Sequence, residues 1–425
     1  MSIQISPNQL QILSMISSNK PKFSSYNMSW DNLTYNSGFD NEFASEALPG
    51  ALPRGQNNPR KCPYNLYAEQ LSGSAFTCPR GENYRTWCYR KIPSVHLSTP
   101  LIKDATAIKG IEDTNEIDPV QKRWQPFHIP EENTTFLQGL HSIAGAGSAQ
   151  TRSGINIYVY ACNKSMENEA FYNSDGEFLI VPQKGSLRIT TELGKLYVKP
   201  EEICVIPQGV QYKIEVEGPS RGYIAETMGR RFKLPSLGPI GANGLANPRD
   251  FLYPVAGYEN YEKSLFNKQY KIVNKYLGKV FSFYREHTPF DVVAWHGNHA
   301  PYKYDLNKFM VINATSFDHA DPSIFTVLTA QSGQAGVALC DFVIFPPRWA
   351  VQEHTFRPPY YHRNCIEIFI IIGLVDLNVS YLLEKFLMAE FMGLIKGTYE
   401  AKEPNGKDKK GFFPGGASLH LTVPE

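Results

Sequence analysis

At 425 residues, with 42% hydrophobic and 13% aromatic side chains, the chain is long enough for two or three domains and a sizeable core. Lys and Arg (42) balance Asp and Glu (41) to a net charge of +1, which argues against a nucleic-acid or anionic-membrane partner. Seven scattered cysteines without a CxxC pair exclude a disulfide scaffold and a zinc-finger or dithiol redox site.

Along the chain, residues 1–34 are rich in Ser and Asn without apolar periodicity, and read as a loose leader with no basic, apolar signal segment. A cytoplasmic location is the resulting expectation. From Tyr35 to Arg90, Gly, Pro and Asn are dense between aromatics, which predicts ordered irregular structure more than helix. Between about 150 and 230, runs such as Ile155–Tyr160, Glu177–Val181, Ser186–Thr191, Lys195–Val198 and Ile203–Ile206 alternate with turn signals. Pro207–Gly209 is a turn leading into a further strand, Val210–Val216. The fold class expected is all-β, a cupin-like barrel or sandwich. No histidine lies between His141 and His287, so this barrel is read as structural. A second β-rich stretch follows from 280 to 350, through Asp291–Trp295, Phe309–Ile312 and Phe342–Phe345. The expected division is a leader over 1–34, an N-terminal β domain over 35–285 and a smaller C-terminal catalytic domain over 286–425. The apolar run Ile368–Val375 is too short to span a membrane, which needs roughly 20 residues.

Seven of ten histidines lie beyond residue 286. Histidine ligates metals and shuttles protons near neutral pH. His319 is flanked by Asp318 and Asp321, and His362 stands in a Pro-rich polar stretch, Phe356–Cys365. With Glu390 as carboxylate, His362 supplies part of a two-histidine, one-carboxylate iron site. Blander readings stand beside these. His319 suits a structural ion pair, His362 a turn cap, and Glu390 the solvated start of a helix running through Phe391–Ile395.

Longer strings carry more weight. Tyr35-Asn-Ser-Gly-Phe-Asp-Asn-Glu-Phe43, Cys62–Arg80, Phe290–Gly297, Phe317–Phe325 and Phe342–Trp349 together resemble the homogentisate dioxygenase family over Tyr35–Cys365 and Met388–His420. The resemblance implies a cupin-related fold, an Fe(II) cofactor, and ring cleavage of homogentisate by O₂ to 4-maleylacetoacetate in phenylalanine and tyrosine catabolism. It also implies a homo-hexamer built as a dimer of trimers. By position it makes His362 and Glu390 iron ligands, His319 the acid/base and Tyr399 a substrate contact.

Two departures from the family pattern set further expectations. Residues 366–387 have no counterpart, so His362 and Glu390 stand 28 positions apart where the family motif is nearly continuous. A retained intron would explain that segment, which is expected to form a loop, helix or added strand. The family carries a further iron-binding histidine beyond the position of His420, whereas this sequence ends at Glu425. A non-catalytic, cupin-like chain is therefore the alternative expectation.

Overall fold

A computed structural model describes residues 30–54, 62–95, 99–104, 108, 122–236, 246–259, 269–310, 322–333, 336–346, 369–377, 390–399 and 412–420. At 322–323, 369–377 and 398–399 it describes the backbone alone. Among the described residues are 26 strands, the helical elements being single 3-10 turns, as the all-β expectation requires. No helix there is long and apolar enough to cross a membrane.

An eight-stranded central sheet runs in the order Tyr35–Ser37, Leu252–Pro254, Tyr302–Asp305, Glu202–Ile206, Gly176–Lys184, Ser220–Met228, Ser153–Cys162, Leu140–Ser148. Period-two alternation splits its side chains between two cores. Tyr158, Tyr160, Phe178, Ile180 and Ile224 face a second sheet, where they meet Ile189, Leu196, Ile214 and Val273. Ile155, Ile157, Val159, Leu179, Val181 and Tyr223 face the other way. Alternation that buries both faces is why these strands read as nearly continuous apolar runs. Each such fully buried side chain contributes on the order of 1.5–3 kcal/mol.

The outer sheet of the sandwich contains Gly194–Val198, Leu187–Thr191, Tyr212–Val216, Glu169–Asn173, Tyr270–Tyr276, Lys279–Arg285 and Ile102–Lys103. Two sheets packed this way form the double-sheet architecture of jelly rolls and cupins. Among the described residues, no histidine belongs to the core between these two sheets. Lys275 Nζ sits there 2.7 Å from Asp175 Oδ2 and 2.8 Å from Glu226 Oε1, while the Tyr158 hydroxyl donates to Glu226 Oε2 at 2.7 Å. The ions satisfy one another within the core, which fits the structural reading of this barrel.

Against the other face of the central sheet packs a seven-stranded C-terminal sheet. Its order is Phe232–Lys233, Thr326–Gln331, Ala338–Val343, Phe369–Leu377, Glu390–Tyr399, Ala417–His420, Lys122–Trp124. Val327, Leu328, Phe342, Phe391, Ile395 and Leu419 join the core beneath it. A four-stranded sheet (Phe43–Glu46, Val292–Gly297, Arg85–Arg90, Tyr67–Ser72) completes the fold.

Several expectations need correction. The stretch 35–90 contributes four strands, two of them six residues long, where irregular structure was expected. Phe309 follows the 3-10 turn Leu306–Lys308, and the rest of the expected strand at 309–312 is a single bridge at Met310 or lies outside the described residues. Strand pairing crosses position 285/286, where Val292–Gly297 pairs with Phe43–Glu46 and Tyr302–Asp305 with Glu202–Ile206. Trp30, within the expected leader, lies under Lys195 Nζ at 4.6 Å from its ring centroid.

Part of the segment 366–387 forms a strand, Phe369–Leu377, inserted between Ala338–Val343 and Glu390–Tyr399 and parallel to both. A mostly apolar run with β-branched Ile370–Ile372 and Val375 is what a parallel strand tolerates, since both of its faces are usually covered. Parallel neighbours need a crossover of about a dozen residues or more. The twelve residues 378–389 between the two strands lie outside the described residues.

Candidate active site

The strand Glu390–Tyr399 carries the one expected metal ligand that lies within the described residues. Glu390 is its first residue and pairs directly with His420 of the antiparallel strand Ala417–His420. Residues directly opposite project to the same face with Cβ atoms roughly 5 Å apart. Both are buried, at 2% and 9% exposure. The solvated helix start considered for Glu390 is therefore excluded. The apolar run Phe391–Ile395 is a strand covered on both sides, which mimics a helix segment in sequence.

Alternation separates two roles along this strand. Phe391, Gly393 and Ile395 face the central sheet, where the Phe391 ring meets Tyr223 edge-on at 6.0 Å. Glu390 and Met392, opposite His420 and Ser418, face away from it. A carboxylate oxygen and an imidazole nitrogen are suitable donors for a divalent first-row ion. No group of three His, Cys, Asp or Glu side chains comes together among the described residues, so these two are a partial donor set.

His319 and His362 lie outside the described residues. Tyr399 ends the strand that Glu390 begins, nine positions on. At about 3.3 Å per residue that is roughly 30 Å of strand.

Two of the described histidines beyond residue 286, His299 and His296, make structural contacts. His299 is buried, with Nε2 2.8 Å from the Gln208 carbonyl and Nδ1 3.0 Å from Arg231 Nη1. A carbonyl on one side and a guanidinium on the other fix the neutral tautomer with the proton on Nε2. Burial, then Arg231, push its pKa down to about 3. His296 contacts the Tyr89 hydroxyl at 3.1 Å and stacks on its ring.

Sequence reasoning missed Glu177, whose pKa is held up at about 7 by burial, against the opposing pull of Arg231 and the Phe232 N–H. A carboxyl titrating near neutrality is a usual mark of a catalytic base. This one is sealed at 3% exposure and accepts the backbone N–H of Phe232. Its effect is on stability. Below its ordinary value of 4.5 it is protonated folded or unfolded, and above about 7 it is ionised in both states. Between those values the folded state holds the extra proton, so stability falls as pH rises, by about 3 kcal/mol in full. Glu177→Gln keeps an acceptor for Phe232 and removes the charge. It is expected to be about 3 kcal/mol more stable than the parent at pH 8 and within about 1 kcal/mol near pH 5. Urea unfolding at the two pH values checks this; a gap that does not widen with pH refutes the assignment.

Fold and site together define a double-sheet β protein with a buried acid–imidazole pair on its C-terminal sheet. The family profile described as "Homogentisate 1,2-dioxygenase N-terminal" matches residues 34–306, and "Homogentisate 1,2-dioxygenase C-terminal" matches 307–379 and 377–425. The two C-terminal pieces meet inside the segment 366–387. Homogentisate 1,2-dioxygenase of Drosophila melanogaster is 55% identical over 395 residues, 92% of this chain and 83% of that protein. The Homo sapiens enzyme is 54% identical over 396 residues, 92% and 82% of the two chains. Among solved structures, a cupin superfamily protein from Desulfitobacterium hafniense aligns at 20% identity over 24% of this chain and 98% of that one, with a TM-score of 0.18. The chain belongs to the homogentisate 1,2-dioxygenase family, a family of enzymes.

Proposed function

We propose that this chain is an Fe(II)-dependent, extradiol-type dioxygenase that converts homogentisate and O₂ to 4-maleylacetoacetate, acting in the cytoplasm in phenylalanine and tyrosine breakdown. The observation that carries the reading is the pairing of Glu390 with His420, both buried, in a chain that matches its relatives over 92% of its length. In this reading Glu390 and His362 hold the iron, with His420, directly opposite Glu390, as a further donor. Those residues would hold Fe(II), whose chemistry when bound would be to activate O₂ toward a phenolate.

The chain's own groups handle binding and protons. His319 takes the proton of the substrate hydroxyl, a task suited to an imidazole near neutral pH. Burial of Glu390 and His420 keeps water from that face of the sheet. Tyr399, a strand's length from Glu390, can meet a ring held at Glu390 only across an interface with another copy. The reading therefore requires an oligomer, and the homo-hexamer expected from the family supplies one. Both oxygen atoms of O₂ enter the product, so no external reductant is consumed. The alternative of a non-catalytic chain gains nothing from relatives that carry the name of an enzyme.

The test loads the full chain anaerobically with Fe(II) and follows O₂ consumption and product absorbance on adding homogentisate. Uptake of one O₂ per homogentisate with formation of the ring-opened product is expected. Stoichiometric iron without turnover would overturn the assignment of activity.

A further inference from the structure

The strands that carry Glu390 and His420 are fastened from below by side chains of the central sheet. Tyr223, 1% exposed, rises from Ser220–Met228 and lays its ring over Gly393. A Cβ there would stand 2.9–3.2 Å from ring carbons, so only glycine admits the ring. The Tyr223 hydroxyl lies 2.7 Å from the Gly416 carbonyl and 3.2 Å from that of Leu394. One hydroxyl thus bridges the strand Glu390–Tyr399 and the residue leading into Ala417–His420, where Gly393 pairs with Ala417.

Two positions away, Arg221 donates to the Phe127 carbonyl at 2.7 Å and to Gln183 Oε1 at 2.8 and 3.0 Å. Its guanidinium fills the space beside Gly415, whose φ of +91° and missing Cβ allow a contact that a side chain would block at 2.3 Å. Gln183 Nε2 in turn donates to the Ile395 carbonyl at 3.0 Å. These bonds run from the sandwich to the backbone of the site strands, at residues far removed in sequence.

We propose that Tyr223, supported by Arg221 and Gln183, is a positioning residue for the metal site: it fixes the spacing of the two strands and hence the placement of Glu390 against His420. The proposal rests on the reading of Glu390 as an iron ligand. Metal sites require their groups within about 0.5 Å of the productive geometry, and supporting interactions outside the ligands typically change affinity 10–100-fold. Tyr223 reaches the site through Phe391, which its ring touches, and through the carbonyls its hydroxyl holds.

Tyr223→Phe keeps the ring and removes the bridge. In the full chain, Fe(II) affinity is measured by chelator competition, and the ligand field by electron paramagnetic resonance of the Fe(II)–nitric oxide adduct. About 10-fold weaker binding and a changed rhombicity are expected. Tyr158→Phe is the matched control, removing a buried hydroxyl that bonds Glu226 inside the sandwich. It should lower the melting temperature while leaving affinity and spectrum unchanged. Equal losses in both variants, or an unchanged Tyr223→Phe, overturn the proposal. Glu390→Gln separates the two levels of inference. If it retains full Fe(II) affinity, or the parent binds no Fe(II), the reading of Glu390 fails and the positioning role with it. If it loses iron while Tyr223→Phe does not, only the positioning role fails.

Discussion

Replacing Arg90 with methionine is expected to cost about 3–5 kcal/mol of stability, the range for removing one partner of a buried ion cluster. Arg90 is fully buried where the four-stranded sheet meets the sandwich. Its Nη2 lies 2.8 Å from Asp291 Oδ1 and its Nη1 lies 2.8 Å from Glu69 Oε1 and 3.2 Å from Glu192 Oε2. The Pro289 carbonyl accepts a further bond at 2.9 Å. Methionine has similar bulk but leaves three acids around an uncharged side chain. Burial pushes the Glu192 carboxyl up even with Arg90 present. Glu69 is held below the usual carboxylate range because Arg90 and the Ser94 N–H together outweigh its own burial.

Without the guanidinium, folding would require these acids to take up protons. A folded state that binds more protons than the unfolded one loses stability as pH rises. The gap between parent and Arg90→Met should therefore be wide at pH 8 and narrower at pH 5. Arg90→Lys restores the charge but not the planar fork that serves several acceptors, and should fall between the two. Chemical unfolding of the three proteins at both pH values decides it. An Arg90→Met variant within about 1 kcal/mol of the parent would mean that the acids are held chiefly by their backbone N–H donors.

That cluster marks a limit on what the sequence reveals. Arg90 meets Asp291 across 201 positions, and nothing local to either residue signals the partner. Short β-rich runs bounded by turn residues were legible, because strand length and turn chemistry are local: Ile155–Tyr160 lies inside Ser153–Cys162, and Glu177–Val181 inside Gly176–Lys184. The strands of 35–90 were obscured by the turn residues between them. At Phe391–Ile395, burial of both faces erased the alternation and left a run that fits helix as well as strand. Phe369–Leu377 shows the same ambiguity in a segment without a family counterpart; pairing on both sides decides its state, and pairing is not a local property. The residues alone left Glu390 between an iron-site carboxylate and a solvated helix start, and the resemblance chose the first. The position of Glu390 opposite His420, 30 residues on, depends on a register that the intervening glycines and the Tyr223 contact set.

The same register gives Glu390→Gln the largest functional effect. The substitution preserves volume and one acceptor oxygen while removing a charge from a residue only 2% exposed. A buried carboxylate kept for stability would lose stability on that change. One kept for metal binding should cost Fe(II) affinity by more than the roughly 10–100-fold of an outer-shell change. Metal binding itself provides the readout. A ligand present at 100 times its dissociation constant stabilises the folded state by about 2.7 kcal/mol. The parent chain should therefore melt at a higher temperature with Fe(II) than without it, and the Gln variant should show no such rise. An iron-induced rise of equal size in the variant would remove Glu390 from the metal site. A variant less stable than the parent in the absence of iron would make the carboxylate a structural group. A lost rise with undiminished apo stability leaves one account of why an acid is buried at the head of this strand: it is held there, opposite His420, for a cation.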